Sequence, residues 1–327
     1  MINVKLLPFQ LEGLAWLQRQ ESTTIFKGGI LSDAMGMGKT LQTIALMVSK
    51  PLQKPTLVVC PVVALIQWKE EIAKYTPDDH FQVLVYHGTS RVHSKDEIER
   101  YDIILTTYAV LESAFRKQQS GFTRKGGKVY ENSLLHSIDW GRIILDEAHC
   151  IKDRSCSTAR AAFALNGDHK WSLSGTPLQN RVGELYSLIR FLRVSPYSNY
   201  YCKKCPCKTM VWKFSDHRHC DECGHKPMSH FCWWNKVILK PIQRFGANGD
   251  GLTAYRRLNV LLDMMMLRRT KLEKADELGL PPKIVEIRSD YFNEQEEDFY
   301  EALYSETQTQ FASYVREGTV LNNYAHM

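Results

Sequence analysis

The segment Asp33-Ala34-Met35-Gly36-Met37-Gly38-Lys39-Thr40 constrains this chain more than any other feature. Its end, Gly38-Lys39-Thr40, is the reactive half of a phosphate-binding loop. Glycines let the backbone curl so that several N–H groups aim at one phosphate. The lysine adds a point charge, and the threonine hydroxyl can ligate Mg²⁺. Gly28 to Ser32 before it reads as a short strand, and Leu41, Ile44, Ala45 and Val48 after it fall on one helical stripe. Strand, loop and helix N-terminus together form an anion site. The loop pattern is incomplete, because Asp33 stands where its first glycine belongs.

A second segment complements the first. Arg142-Ile143-Ile144-Leu145-Asp146-Glu147-Ala148-His149 is an apolar run ending in paired carboxylates. Asp146 suits a Mg²⁺ bridging two phosphates, and Glu147 suits orienting or deprotonating an attacking water. Two carboxylates alone would read as an exposed acidic turn. A phosphate-binding loop upstream makes them one nucleotide site.

The rest of the first half alternates strand-like and helix-like stretches. Thr56 to Cys60, Phe81 to Tyr86, Asp102 to Leu105, Arg142 to Leu145 and Lys170 to Leu173 read as strands. Leu7 to Leu17, Leu65 to Tyr75, Thr158 to Leu165 and Val182 to Leu192 read as helices. Such alternation predicts an α/β fold, a parallel sheet with helices on both faces, whose ligands bind at the carboxyl ends of strands. The expected units are residues 1–195 as the nucleotide-binding lobe, 196–246 as a metal-binding insertion, 247–290 as a helical remainder and 291–327 as the start of a helical linker. In that last part Ile284 to Ile287 reads as a strand and Glu294 to Val315 as a helix. The loop around Arg124-Lys125-Gly126-Gly127-Lys128 reads as a solvated hairpin rather than a phosphate contact. No apolar run approaches the ~20 residues of a membrane span. The net charge of +6 permits a nucleic-acid partner without requiring one.

Nine cysteines cluster in a way that suggests metal rather than disulfides. Cys202-Lys203-Lys204-Cys205 and Cys220-Asp221-Glu222-Cys223 are two knuckles separated by fourteen residues. Four thiolates from two such turns can close a tetrahedron around one structural Zn²⁺. Cys207, His217, His219, His225 and Cys232 lie near enough in sequence to replace one ligand. Trp212, Phe214, Phe231, Trp233 and Trp234 read as packing for this small unit rather than as a base-stacking platform.

The phosphate loop and the Asp146-Glu147-Ala148-His149 box resemble those of the superfamily 2 helicase-like ATPases, and more closely the SWI/SNF-type DNA translocases. The resemblance extends to Leu7-Pro8-Phe9-Gln10, Cys60-Pro61 through Gln67-Trp68, Leu105-Thr106-Thr107-Tyr108, Leu173-Ser174-Gly175-Thr176-Pro177-Leu178-Gln179-Asn180, Met266-Leu267-Arg268-Arg269-Thr270-Lys271 and Leu280-Pro281-Pro282-Lys283. Cys150 to Asp153 and the zinc insertion are similar to the nucleotide-excision-repair branch of that family. Ala34 departs from it, since glutamate is usual there.

The resemblance implies a RecA-like P-loop lobe with a zinc insertion and a C-terminal helical extension. It implies that Gln10 reads the base, and that Asp33, Met35, Gly36, Met37, Gly38, Lys39, Thr40 and Asp146 hold ATP, with Thr40 and Asp146 on Mg²⁺. Lys39, Asp146 and Glu147 are the implied catalytic set. His149, Ser174 and Thr176 would couple ATP to DNA grip, and Thr106, Thr107 and Tyr108 would touch DNA. Double-stranded DNA in chromatin, repair-complex subunits and the nucleus follow as expected partners and location, with no membrane. No Gln-x-x-Gly-Arg-x-x-Arg segment occurs, so arginine fingers are expected from a second lobe outside this chain. Two other classes stay open: a strand-separating helicase of the same superfamily, and a zinc-bearing binding module with a vestigial ATP site.

Overall fold

Seven strands lie parallel in one sheet, in the order β12-β1-β8-β7-β2-β4-β3. They are β1 (Gly28–Leu31), β2 (Thr56–Cys60), β3 (Val83–Val85), β4 (Ile103–Thr107), β7 (Asp139–Leu145), β8 (Asn166–Leu173) and β12 (Met266–Leu267). The remaining strands form a hairpin, β5 (Phe122–Arg124) with β6 (Gly127–Val129), and a small antiparallel sheet in the order β10-β9-β11. That sheet consists of β9 (Tyr200–Cys202), β10 (Lys208–Thr209) and β11 (His230–Cys232). The computed structural model describes residues 2–88, 94–124, 127–177, 182–279 and 284–317.

The central strands are apolar runs without alternation, as a sheet covered on both faces requires. β1, β2 and β4 are buried along their whole length. One apolar cluster lies on each face. On one side Trp68, Ile144, Trp171 and Leu173 pack with α1 (Pro8–Thr23), α2 (Lys39–Ser49) and α3 (Val62–Tyr75). On the other, Ile143, Leu145, Ile151, Phe191 and Leu261 pack together, joined by Trp234 and Ile238 from the end of the insertion. The insertion therefore roots its last turn in the main core.

One polar group crosses the first of these layers. Arg142 on β7 donates from Nε at 2.7 Å and from Nη2 at 2.9 Å to the two carboxylate oxygens of Glu21 on α1. Trp171 on β8 donates to the same carboxylate at 3.0 Å. Burial pushes the Glu21 carboxyl up, but Arg142 and Trp171 outweigh it and hold it below its usual value. This bidentate pair fixes where α1 lies over β7 and β8.

The chain divides into Met1–Gly279 and Leu280–Met327. The zinc-type insertion belongs to the first unit. In the second, the helix Glu294–Glu317 starts with a reciprocal cap. The Glu296 amide donates to Asn293 Oδ1 at 2.9 Å, and the Asn293 amide to Glu296 Oε2 at 3.1 Å. Ile284 to Ile287 is not a strand, contrary to the sequence expectation. Ile284, Val285 and Ile287 are exposed, and an apolar run without a neighbouring strand to bond cannot become a ladder. Leu280 to Lys283, Leu178 to Asn180, and Lys125 with Gly126 lie outside the described residues.

Arg142→Ala is expected to destabilise the lobe by about 3–5 kcal/mol at neutral pH, because it strips the buried Glu21 carboxylate of its bidentate partner and leaves it only the Trp171 donor and Lys50 Nζ at 3.7 Å. A carboxyl whose folded value is depressed stabilises above its unfolded value, and that contribution disappears as pH falls through the folded one. The variant's deficit should therefore shrink in acid. Urea unfolding of both proteins across the acidic range measures this. A deficit independent of pH would deny the pair its role.

Candidate functional site

β1, β2, β4, β7, β8 and β12 run parallel, so their carboxyl ends open at one edge. The loop 32–38 emerges there from β1 and enters α2. Gly36 and Gly38 have φ of 80° and 75°, the left-handed region that glycine occupies without strain. At Gly38 a side chain would also strike Gln10 Nε2, at 2.7 Å. Lys39 opens α2 and reaches back, donating from Nζ to the Asp33 carbonyl at 3.0 Å. Thr40 follows in the first helical turn. Met35 and Gly36 are exposed and Met37 is buried, so the loop rests on Met37 and presents its crest to solvent.

Asp33 does not present its carboxylate to this crest. It is fully buried and accepts from Arg269 Nε at 3.0 Å, Arg269 Nη2 at 2.5 Å and Gln42 Nε2 at 3.0 Å. Arg269, just after β12, also donates to the Phe9 carbonyl and to Gln42 Oε1. Only the carbonyl of Asp33 belongs to the phosphate loop. Gln10 is likewise engaged: its Oε1 accepts from the Leu7 amide at 3.0 Å and its Nε2 donates to the Met37 carbonyl at 3.3 Å. It props the loop through the Met37 carbonyl.

Asp146 sits at the end of β7. Its Oδ2 accepts from Trp68 Nε1 at 2.8 Å, and its Oδ1 from the Glu147 amide at 2.9 Å. Burial pushes this carboxyl above its ordinary value, while the two hydrogen bonds and the nearby Lys39 charge pull it back. Burial likewise pushes the adjacent Cys60 thiol up to about 12, with Asp146 adding to the shift. Glu147 has a left-handed φ of 47°, and its Oε2 lies 3.1 Å from His149 Nδ1. A left-handed glutamate is a strained choice that a functional turn tolerates.

The segment after β8 lies against the phosphate loop. Ser174 is buried; its carbonyl accepts from Ser32 Oγ at 2.9 Å, and its Oγ accepts from the Thr176 amide at 3.3 Å. A Cβ at Gly175 would lie 3.0 Å from Met35 Cγ and 3.6 Å from Lys39 Nζ. Motion of either segment is thus felt by the other.

The expected DNA contacts need correction. Thr106, Thr107 and Tyr108 are buried. Thr106 Oγ1 donates to the Tyr86 carbonyl at 2.9 Å, Thr107 Oγ1 accepts from the Val110 amide at 3.3 Å as a helix cap, and Tyr108 OH donates to the Asp146 carbonyl at 2.7 Å. Their side chains hold the fold rather than face a duplex. Trp68, Tyr108, Gln42 and Arg269 are instead the residues that position the site. The signal for Trp68 was an indole on a buried helix stripe, since a buried N–H needs an acceptor.

In the insertion the four expected thiols are divided. Cys202, Cys205 and Cys223 gather with His225, while Cys220 gathers with Cys207, Cys223 and His230; within each group the ligand atoms lie within 4.8 Å of one another. The donors are soft thiolates and imidazoles in tetrahedral number, which is zinc chemistry. The aromatics pack this unit: Trp212 and Phe214 lie 4.6 Å apart, Phe214 is edge-on to His230 at 5.1 Å, and Tyr201 meets Trp233 at 5.3 Å.

The SNF2-related domain matches residues 9–205. The chain is 57% identical over 324 residues to the ATP-dependent helicase rhp16 of Schizosaccharomyces pombe, covering 99% of this chain and 37% of that protein. It is 34% identical to the DNA repair protein RAD5B of Arabidopsis thaliana, covering 96% of this chain and 24% of that protein. Among solved structures, the Sulfolobus solfataricus SWI2/SNF2 ATPase core in complex with dsDNA is similar with a TM-score of 0.62 and 27% identity, over 99% of this chain and 58% of that one.

Trp68→Phe removes one donor from Asp146 and so raises its carboxyl further. A hydrogen bond to a charged group is worth about 1.5–3 kcal/mol. Mg²⁺-dependent binding of a fluorescent ATP analogue should fail at correspondingly higher pH in the variant as pH falls, with binding in a chelator unchanged. Coincident pH curves would mean that the indole only packs.

Proposed function

Because this chain belongs to the SNF2-related domain family, we propose that it binds Mg-ATP at the Lys39 loop and hydrolyses it as one lobe of an ATPase that moves along double-stranded DNA. The observation that carries this reading is the convergence of Lys39, Asp146 and the Ser174–Gly175 segment at one edge of a parallel sheet. The exposed loop crest, two positive-φ glycines and the N-terminus of α2 fit a polyphosphate.

Lys39 would meet the terminal phosphates, Thr40 and Asp146 would hold Mg²⁺, and Gln10 lies where it could read the base. Mg²⁺ supplies charge neutralisation on the phosphates. Glu147, positioned by its left-handed turn and paired with His149, would orient the attacking water and take its proton. Ser174 and the loop it touches would pass the nucleotide state to the surface that grips DNA. The contacts to DNA are then drawn from main-chain groups at the strand ends, which read the backbone and not the sequence.

The relatives named as DNA repair proteins support a role in repair, with nucleotide excision repair in the nucleus, chromatin DNA and other repair subunits as the proposed setting. The insertion is proposed to hold zinc in a closed, structural sphere. The name of the rhp16 relative, an ATP-dependent helicase, is what favours strand separation as the second reading.

Lys39→Ala should abolish Mg-ATP binding in calorimetry while leaving the unfolding midpoint unchanged; retained affinity would refute the loop's assignment. In a protein that also carries the second lobe, Glu147→Gln should keep ATP bound but cut single-turnover phosphate release by about 10²-fold or more, the scale of general-base catalysis. Residues 1–327 alone should turn ATP over hardly at all, even with saturating duplex DNA, because the arginine fingers are missing.

A further inference from the structure

We propose that the insertion holds two zinc ions that share the thiolate of Cys223. Cys202, Cys205, Cys223 and His225 would bind the first, and Cys207, Cys220, Cys223 and His230 the second. This rests on the insertion being a zinc site, and it goes beyond the single ion that two cysteine knuckles suggest.

The count of donors comes first. A structural zinc takes four ligands, so two tetrahedra sharing one corner need seven. Seven residues make up the two groups, and Cys223 is the member common to both. With one ion in the first group, Cys207, Cys220 and His230 would be left crowded against a bound thiolate. Three soft donors held at that range without a cation would gain nothing from being there.

The second imidazole is also aimed. Its Nδ1 lies 3.2 Å from the Lys226 carbonyl, which selects the tautomer with a proton on Nδ1. The lone pair is then on Nε2, which faces Cys223 Sγ at 3.3 Å. A ligating histidine oriented through its other nitrogen by a carbonyl is the usual arrangement at zinc. His230 is buried, with Phe214 and Trp212 both edge-on against it, so this orientation is fixed by packing. On the other side, His225 Nδ1 lies 3.6 Å from Cys202 Sγ.

The backbone interlocks the two spheres. The Cys202 amide donates to the Cys207 carbonyl at 3.1 Å, and the Cys220 amide to the His225 carbonyl at 3.0 Å. Each bond joins a residue of one group to a residue of the other. Gly224, at a φ of 69°, makes the turn that lets Cys223 and His225 approach the same ion. Five thiolates against two dications leave the centre one negative charge overall, which Lys204 and Lys226 flank in sequence.

Native mass spectrometry and elemental analysis of the full 327-residue chain, purified without chelator, test the proposal. Two zinc ions per chain are expected. His230→Ala should retain one, and Cys223→Ser should lose both or bind them at least tenfold more weakly, with Mg-ATP affinity as the check that the lobe is intact. Replacing zinc by the NMR-active cadmium isotope requires no variant. It should give two resonances split by mutual coupling through the shared sulfur. One ion per chain, or a Cys207–Cys220 disulfide in its place, would overturn the pair while sparing the zinc reading. Two uncoupled resonances would overturn the shared thiolate. No metal at all would overturn both readings.

Discussion

The buried pair of Asp33 and Arg269 is the constraint on which the nucleotide site depends. Its carboxylate and guanidinium are both withdrawn from water, so each needs the other. Through it the start of the phosphate loop, Gln42 of α2, the Phe9 carbonyl of α1 and the segment after β12 meet at one point. These pieces come from both ends of the lobe. Gly13 is part of the same arrangement, because a Cβ there would overlap Gln42 Oε1. A loop held this way keeps its shape before any phosphate arrives, which is what preorganisation means for an anion site.

The same logic repeats at Asp146. The Mg²⁺ role proposed for this carboxylate requires it to stay ionised in a place where burial opposes charge. Trp68 and the Glu147 amide offset that opposition from two directions. Tyr108 fixes the backbone behind it. The helices carrying Trp68 and Tyr108 follow β2 and β4, so segments that the family resemblance assigns to DNA are also the walls of the nucleotide site. Tightening on one side has a direct mechanical route to the other.

The insertion solves a different problem. It has few aliphatic residues, and its small sheet of β9, β10 and β11 could not be stable by burial alone. The proposed metal would replace a core there, while Trp234 and Ile238 fasten its last turn to the lobe.

The parallel α/β architecture, the order of its strands and helices, and the phosphate loop with its partner carboxylates were legible in the sequence. Each is set by local signals: apolar runs of strand length, helical stripes, and glycines where the backbone must turn. The family likeness rested on the same contiguous stretches. What only the tertiary structure decided is which polar side chains meet. Asp33 looked like a member of the phosphate-binding set, yet its partner Arg269 is more than two hundred residues away. Thr106, Thr107 and Tyr108 looked available for DNA, yet their hydroxyls are taken by Tyr86, Val110 and Asp146. The cysteine knuckles announced a metal, yet how seven ligands group depends on how β9 and β11 pair. Local sequence fixes the backbone because its hydrogen bonds and burial pattern are periodic. Polar partners follow no period, and a side chain is committed only when the folded sheet brings distant segments within hydrogen-bond reach.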